Sequence, residues 1–294
     1  MKHRTLAIVC FGLASRSVSS TAEAQYQLKN LASNQVKQAA HTDPLLVNGW
    51  GLVHGPGTPW WISDNNSGWA TLYDGSGKQV TKPKVLIPTA GNGPSSPTGL
   101  NGPGSPTGIV FNGSNDFQLQ GSASLFLFAT LDGTISGWVP QSNFNEAILA
   151  VDNSANKTVY TGLAITSRTS GNLLYAADEA NGQVDMYDAN FAFVKSFTDT
   201  TLPAGFAPFG IQDINGLLYV TFANVNGGSG GFVDLFKEDG TFVKTLINGA
   251  PLNQPWGVAV APRNFGPLSN ALLVSNNTNR GTINAFDPIT GAFV

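Results

Sequence analysis

Trp50-Gly51-Leu52, Thr107-Gly108-Ile109, Thr161-Gly162-Leu163, Phe209-Gly210-Ile211 and Trp256-Gly257-Val258 are five versions of one block: a small or aromatic residue, a glycine and a branched aliphatic. Their glycines are spaced 57, 54, 48 and 47 residues apart. That period is close to the roughly 40–50 residues of a four-stranded propeller blade, lengthened by loop insertions in the first two units. Each block is followed by a second apolar run, from Trp60-Trp61-Ile62-Ser63 in the first unit to Ala271-Leu272-Leu273-Val274 in the fifth. A polar turn and a third run come next, among them Ala70-Thr71-Leu72-Tyr73, Val184-Asp185-Met186-Tyr187 and Thr282-Ile283-Asn284-Ala285-Phe286. Turn sequences such as Asp74-Gly75-Ser76-Gly77 and Glu238-Asp239-Gly240 then precede a fourth strand, as in Val243-Lys244-Thr245-Leu246-Ile247. Short alternating runs bounded by Gly, Asn, Asp and Pro are hairpin signals. The block glycine has a mechanical reason: inner strands crowd a central axis, and a residue without Cβ lets neighbouring backbones approach. The expected fold is therefore all-β, a β-propeller of four-stranded blades with five units recognisable. A β-sandwich would not require five copies of one four-strand unit.

Composition agrees. Only 11% of the 294 residues are charged, against about 25% in an average domain. The 34 Gly and 17 Pro exclude helical bundles, while 41% hydrophobic residues exclude general disorder. Residues 1–24 read as an export signal: Lys2 and Arg4, an apolar run from Thr5 to Ala14 too short to span a bilayer, then Ala22-Glu23-Ala24. The remaining 25–294 form one propeller domain, expected to be secreted or periplasmic. The single cysteine, Cys10, falls inside the signal, so disulfides, thiolate metal sites and cysteine nucleophiles are excluded from the mature chain. Loss of Lys2, Arg4, Arg16 and Glu23 takes the balance from 15 basic and 18 acidic residues to 12 and 17. No basic cluster remains, which argues against nucleic acid, and no second long apolar run predicts membrane insertion.

Several blocks carry a family resemblance. Leu46-Val47-Asn48-Gly49-Trp50-Gly51-Leu52, Pro106-Thr107-Gly108-Ile109-Val110-Phe111-Asn112, Phe128-Ala129-Thr130-Leu131-Asp132-Gly133-Thr134 and Pro251-Leu252-Asn253-Gln254-Pro255-Trp256-Gly257 resemble an uncharacterised family of exported bacterial β-propeller proteins, more distantly similar to NHL-type repeats. The resemblance spans about Gln25 to Val294 and implies a further Gly-aliphatic unit, hence a six-bladed plan incomplete at the C-terminus. The alternative is a smaller ring closed by an N-terminal strand over Tyr26–Leu31.

Chemistry is sparse. His41 and His54 stand alone, outside any zinc spacing. His41 lies in a polar entry loop, where a structural hydrogen bond is the simpler reading. His54 follows its block glycine by three residues, the place held by Phe111, Ile165, Asp213 and Val260 in the other units. His54 and Asp213 are thus candidates to face the channel. Trp50 and Trp256 share one repeat position and are candidates for ligand contact or for packing between blades. After the second strand stand Asp64, Thr130, Asp178, Phe222 and Asn276. Equivalent blade positions converge, so Asp64, Asp178 and Asn276 are candidate oxygen ligands for Ca²⁺ or Mg²⁺, with Thr130 a candidate ligand contact. Asp and Asn are also the default residues of strand-ending turns, and Phe222 breaks the series. Gly227-Gly228-Ser229-Gly230-Gly231 matches G-x-S-x-G only formally, as a hairpin tip rather than a strand-to-helix elbow. The expectation is an exported scaffold binding a small-molecule, glycan or protein ligand. The alternative is a divalent-metal hydrolase or lactonase with the ion in the channel, so enzymatic activity and oligomeric state stay open.

Overall fold

The computed structural model describes Tyr26 and residues 28–91, 103–168 and 171–294. The signal segment 1–24 and much of the polar loop 89–106 lie outside the described residues. The described part opens with a two-stranded parallel ribbon, β1 (Ala32–Ser33) and β2 (His41–Thr42). Blade 1 follows as β3 (Gly49–Val53), β4 (Trp60–Asp64), β5 (Trp69–Tyr73) and β6 (Gln79–Leu86). Blade 2 begins with β7 (Pro106–Phe111) and inserts a small hairpin, β8 (Gln118–Leu119) and β9 (Ser122–Ala123). It is completed by β10 (Phe126–Thr130), β11 (Thr134–Trp138) and β12 (Ile148–Asp152). Blade 3 comprises β13 (Tyr160–Ile165), β14 (Leu174–Asp178), β15 (Gln183–Tyr187) and β16 (Phe193–Phe197). Blade 4 comprises β17 (Phe206–Ile214), β18 (Leu217–Asn224), β19 (Phe232–Lys237) and β20 (Phe242–Asn248). Blade 5 has β21 (Pro255–Val260), β22 (Leu272–Asn276) and β23 (Thr282–Phe286), with a single Phe286–Phe293 bridge in the fourth-strand place. Each blade is an antiparallel meander paired in sequence order, and the protein is a five-bladed β-propeller.

Each block forms an inner strand, and each inner strand carries a β-bulge there. Opposite the second strand, the pairing slips by one residue between Gly49 and Leu52, Pro106 and Ile109, Tyr160 and Gly162, Pro208 and Gly210, and Pro255 and Val258. A bulge bends its strand and frees a backbone group from the ladder. Hydroxyls take up freed groups: the Gly210 N–H donates to Thr221 Oγ1 at 2.9 Å, and that of Gly257 to Ser275 Oγ at 2.8 Å. Hydroxyls also tie blade to blade, Thr107 Oγ1 donating to the Tyr160 carbonyl at 2.7 Å and the same Thr221 Oγ1 to that of Trp256 at 3.2 Å.

The core is split into four inter-blade layers. Between blades 1 and 2, Trp61 stacks on Phe126 at 4.2 Å and leans on Trp138 at 4.8 Å. Similar layers unite blades 2 and 3 around Tyr160 and Leu174, blades 3 and 4 around Tyr175 and Phe236, and blades 4 and 5 around Leu235 and Phe286. The inner strands pack in succession, β3 on β7, β7 on β13, β13 on β17 and β17 on β21. β21 and β3 form no comparable pair. The N-terminal segment bridges the rim there instead: the Tyr26 hydroxyl donates to the Phe265 carbonyl at 2.8 Å in blade 5, while Leu31 abuts Gly77 in blade 1. Tyr26 and residues 28–31 are not in a strand, so the expected closure by an N-terminal strand takes the form of this strap.

Candidate functional site

All five block glycines line one axial cavity of about 410 Å³. Its walls are the aliphatics that follow them: Leu52, Ile109, Leu163, Ile211 and Val258. At the end where the inner strands begin, Trp50 meets Trp256 edge-to-face at 5.5 Å between ring centroids, and Phe209 at 5.8 Å. The Trp256 indole N–H crosses the axis to the Thr161 carbonyl of blade 3 at 2.9 Å. The pair is thereby held as an aromatic plug, with Trp256 fixed by a hydrogen bond and Trp50 by its two ring contacts. Sideways, the cavity reaches Leu273, Ser275 and Ile283 on the face of blade 5 turned away from blade 4.

The opposite mouth is more polar. A second cavity shares Leu52, Ile109 and Gln212 with the first and adds Phe111, Ile165, Asp213 and Glu238. Asp213 accepts the Gly216 N–H at 2.9 Å through Oδ1, and its Oδ2 is buried without a partner. Burial pushes its pKa above the usual carboxylate range; Glu238 adds to the rise and Arg168 opposes it. Arg168 Nε donates to Glu238 Oε2 at 3.0 Å in the only ion pair among the described residues. The channel thus has an apolar, aromatic end and an acidic mouth.

The other sequence candidates lie elsewhere. His41 sits in β2, outside the blades, its N–H bonded to the Leu31 carbonyl at 3.0 Å. His54 packs against Trp60 with ring centroids 4.2 Å apart and the rings tilted by 60°, and its Nδ1 is 3.2 Å from the Gly55 carbonyl. Thr130 is fully buried at the end of β10, its Oγ1 2.8 Å from Thr134 Oγ1. Asp64, Asp178 and Asn276 do end their second strands at the start of the inner ones, yet each serves its own blade. Asp64 Oδ2 accepts from Thr71 at 2.6 Å, and Asp178 accepts from the Val159 N–H at 3.1 Å and Asn181 Nδ2 at 2.6 Å. Asn276 donates to the Pro251 carbonyl and Thr282 at 3.0 Å and accepts the Asn253 N–H. Among the described residues, no group of three or more His, Cys, Asp or Glu is placed to hold a metal ion. Of Asp64, Asp178 and Asn276, only Asp64 has a buried side-chain atom without a partner, its Oδ1, and burial pushes the Asp64 carboxyl up to about 8.

A second series escaped the motif reading. The third residue of the third strand is polar in every unit: Thr71, Ser136, Asp185, Asp234 and Asn284. Several clamp the segment that enters their own blade. Tyr160 OH donates to Asp185 Oδ2 at 2.8 Å beside Tyr187, with Asn153 on both phenols. Asn284 donates to the Pro251 carbonyl at 3.4 Å. Thr71 leads through Tyr73 to Asp43, where Gln79 also donates. Asp234 faces Thr245 and the Asp199 carboxyl, and burial pushes it up to about 7. A polar residue recurring at one rung was visible in the sequence; its partners, contributed by other strands and loops, were not.

The fold and channel define an all-β propeller with a central apolar cavity. No family model matches the chain. It is 30% identical over 279 residues to "Uncharacterized protein R648" of Acanthamoeba polyphaga mimivirus, covering 89% of this chain and 67% of that one. "Uncharacterized protein L690" of the same virus is 29% identical over 287 residues, covering 90% and 72%. The chain belongs to the family of R648. These relatives are viral, whereas the block resemblance pointed to bacterial proteins. A solved virginiamycin B lyase from Staphylococcus aureus superposes with TM-score 0.51 at 14% identity, over 83% of this chain and 71% of that one, a likeness of fold alone. Among the described residues no helix is long and apolar enough to cross a membrane.

Proposed function

We propose that the protein is an exported binding scaffold whose central channel holds a small, largely apolar ligand. The observation that carries this reading is the axial cavity itself, walled by block aliphatics and ended by the Trp50–Trp256 pair. Its volume, about 410 Å³, falls within the roughly 300–1,000 Å³ of small-molecule sites. The flat indole faces suit a planar apolar body, and the acidic mouth suits a donor group at its other end. Export rests on the basic, apolar and small-residue pattern of residues 1–24.

The test is a titration of tryptophan emission and melting temperature with neutral two- and three-ring aromatics such as naphthol, carbazole and flavone. At least one compound is expected to bind with one-to-one stoichiometry, and Trp256→Ala to weaken it at least about tenfold. If no compound shifts either signal, or if Trp50→Ala and Trp256→Ala both keep full affinity, the channel is not the site.

A further inference from the structure

A third cavity, of about 610 Å³, lies against the two outer strands of blade 3 and shares no lining residue with the channel. β15 and β16 contribute Gln183, Asp185, Phe193 and Ser196 to it. The chain entering the blade contributes Asn153, Asn156 and Thr158, and the turn before β15 adds Asn181. The local sequence differs here from the other units. Five residues before its block glycine, blade 5 has Leu252, buried in the layer against blade 4. Blade 3 has Lys157 at that place, exposed and left-handed at φ 58° after a single 3₁₀ turn over Ser154–Asn156. A polar, outward turn thus replaces a buried leucine, and the space beside it stays open. Gln183 likewise opens the third strand where blades 1 and 4 have Trp69 and Phe232.

The amides of this cavity are oriented by their nitrogens. Asn153 Nδ2 donates to the Tyr160 and Tyr187 phenols, both at 2.8 Å, Asn181 Nδ2 to Asp178 Oδ2 at 2.6 Å, and Gln183 Nε2 to Asp185 Oδ1 at 3.0 Å. Their three oxygens accept no hydrogen bond among the described residues, and the exposed Asn156 amide is engaged at neither end. Each oxygen is therefore a fixed acceptor with its lone pairs free. Asp185, the one carboxylate in the lining, is already committed: it accepts from Gln183, from Ser196 at 2.7 Å and from Tyr160 at 2.8 Å. A cation would find no free carboxylate here, and an apolar body would leave the amide oxygens unpaired. Phe193 is 58% exposed and meets Tyr187 edge-to-face at 6.0 Å. Phe242 holds the same place in blade 4 and is also exposed, so the ring alone marks nothing. Its conjunction with four amides does.

We propose that this cleft is a second binding site, and that its ligand is a pyranose sugar. Neighbouring sugar hydroxyls donate and accept at once, which suits the fixed oxygens of Asn153, Asn181 and Gln183 and the free amide of Asn156. The C–H face of the same ring is apolar and suits the exposed face of Phe193. A neutral ligand fits a site whose carboxylate is occupied by the protein's own donors. The cavity volume, about 610 Å³, lies within the roughly 300–1,000 Å³ of small-molecule sites. Tyr160 and Tyr187 hold the Asn153 amide in place before any ligand arrives, which lowers the ordering cost of binding. The inference stands whether or not the channel takes an aromatic ligand, because the two sites have no residue in common.

The probes are the methyl α- and β-glycosides of glucose, galactose, mannose and N-acetylglucosamine, together with maltose, cellobiose and lactose. Binding is read by saturation-transfer NMR and isothermal titration. At least one probe is expected to bind one-to-one with a Kd of about 1 mM or tighter. Phe193→Ala should weaken that probe about fivefold or more, and Asn156→Ala about threefold or more. Both side chains are exposed, so the melting temperature should hold and loss of affinity should not reflect unfolding. Trp256→Ala, in the channel, should leave sugar affinity unchanged. A disaccharide that binds more tightly than its methyl glycoside marks a chain end as the source, and equal affinity marks a single sugar; both uphold the site. The proposal fails if no probe saturates below about 20 mM, if Phe193→Ala and Asn156→Ala both keep full affinity, or if only Trp256→Ala abolishes binding. Binding of guanidinium or butylammonium in place of every sugar would assign the cleft to cations and overturn it as well.

Discussion

Alanine at Gly210 and alanine at Gly257 are the same substitution at the same point of the same motif, and the structure gives them opposite outcomes. A Cβ on Gly210 would sit 2.0 Å from the Trp256 carbonyl oxygen and 2.9 Å from Thr221 Oγ1. Even a 3.0 Å contact requires β21 to retreat by about 1 Å, and the atom in the way is backbone, which cannot rotate aside. Retreat would stretch the bond from Thr221 to the Trp256 carbonyl and pull Trp256 from Trp50 and Thr161. Overpacking costs about 1–3 kcal/mol and the weakened hydrogen bonds about 1 kcal/mol each, so Gly210→Ala is expected to destabilise by ~3 kcal/mol or more. At roughly 2–4 °C per kcal/mol in a domain of this size, the melting temperature should fall by about 6–12 °C. Gly257→Ala meets only the Ser275 hydroxyl at 3.0 Å, a group free to turn, and should cost ~1 kcal/mol or less. Scanning calorimetry and urea melts of the two variants make the comparison. Equal losses would refute the reasoning, since they would mean that Gly257 faces a neighbour as crowded as that of Gly210.

Asp64 and Asp234 are held largely protonated by burial, up to about 8 and about 7 against an ordinary value of 3.8. Their contribution is fully present below pH 3.8 and is lost as pH rises through 7 and 8, so the urea midpoint should fall from pH 5 to pH 9 by the equivalent of a few kcal/mol. Asp64→Asn with Asp234→Asn should flatten that fall; an unchanged slope would contradict the assignment. Tyr160→Phe removes the hydroxyl shared by Asp185, Tyr187 and Asn153 and should cost about 1–3 kcal/mol by urea melt, whereas a neutral result would mean that the phenol is not holding the clamp. EDTA and millimolar Ca²⁺ should leave the melting temperature unchanged, because Asp64, Asp178 and Asn276 bond within their own blades. A calcium-dependent rise of several degrees would restore the metal-hydrolase reading.

The blades themselves were legible because a blade is a local object. Alternating runs such as Thr134–Trp138 and Thr282–Phe286, broken by Asp-Gly and Asn turns, fix hairpins over a few residues, and the third strands fall within a residue or so of where the sequence places them. The glycines were legible too, and close backbone approach accounts for four of the five, Gly51, Gly108, Gly162 and Gly210. Contacts between units join residues far apart in the chain, 35 positions from Thr221 to Trp256 and 53 from Thr107 to Tyr160, and leave no local trace. Trp50 and Trp256 share one repeat position, which left ligand contact and packing between blades both open, and only the ring shows them touching each other. Asp64, Asp178 and Asn276 occupy equivalent places, but equivalence does not reveal that Thr71 of β5 engages the first and nearby loop residues engage the other two. The amino-acid order determined what one wedge of sheet looks like and how often it recurs. Tertiary structure decided which wedges touch, because curvature accumulates over five units and a small angle per junction settles whether Leu52 meets a neighbour or water.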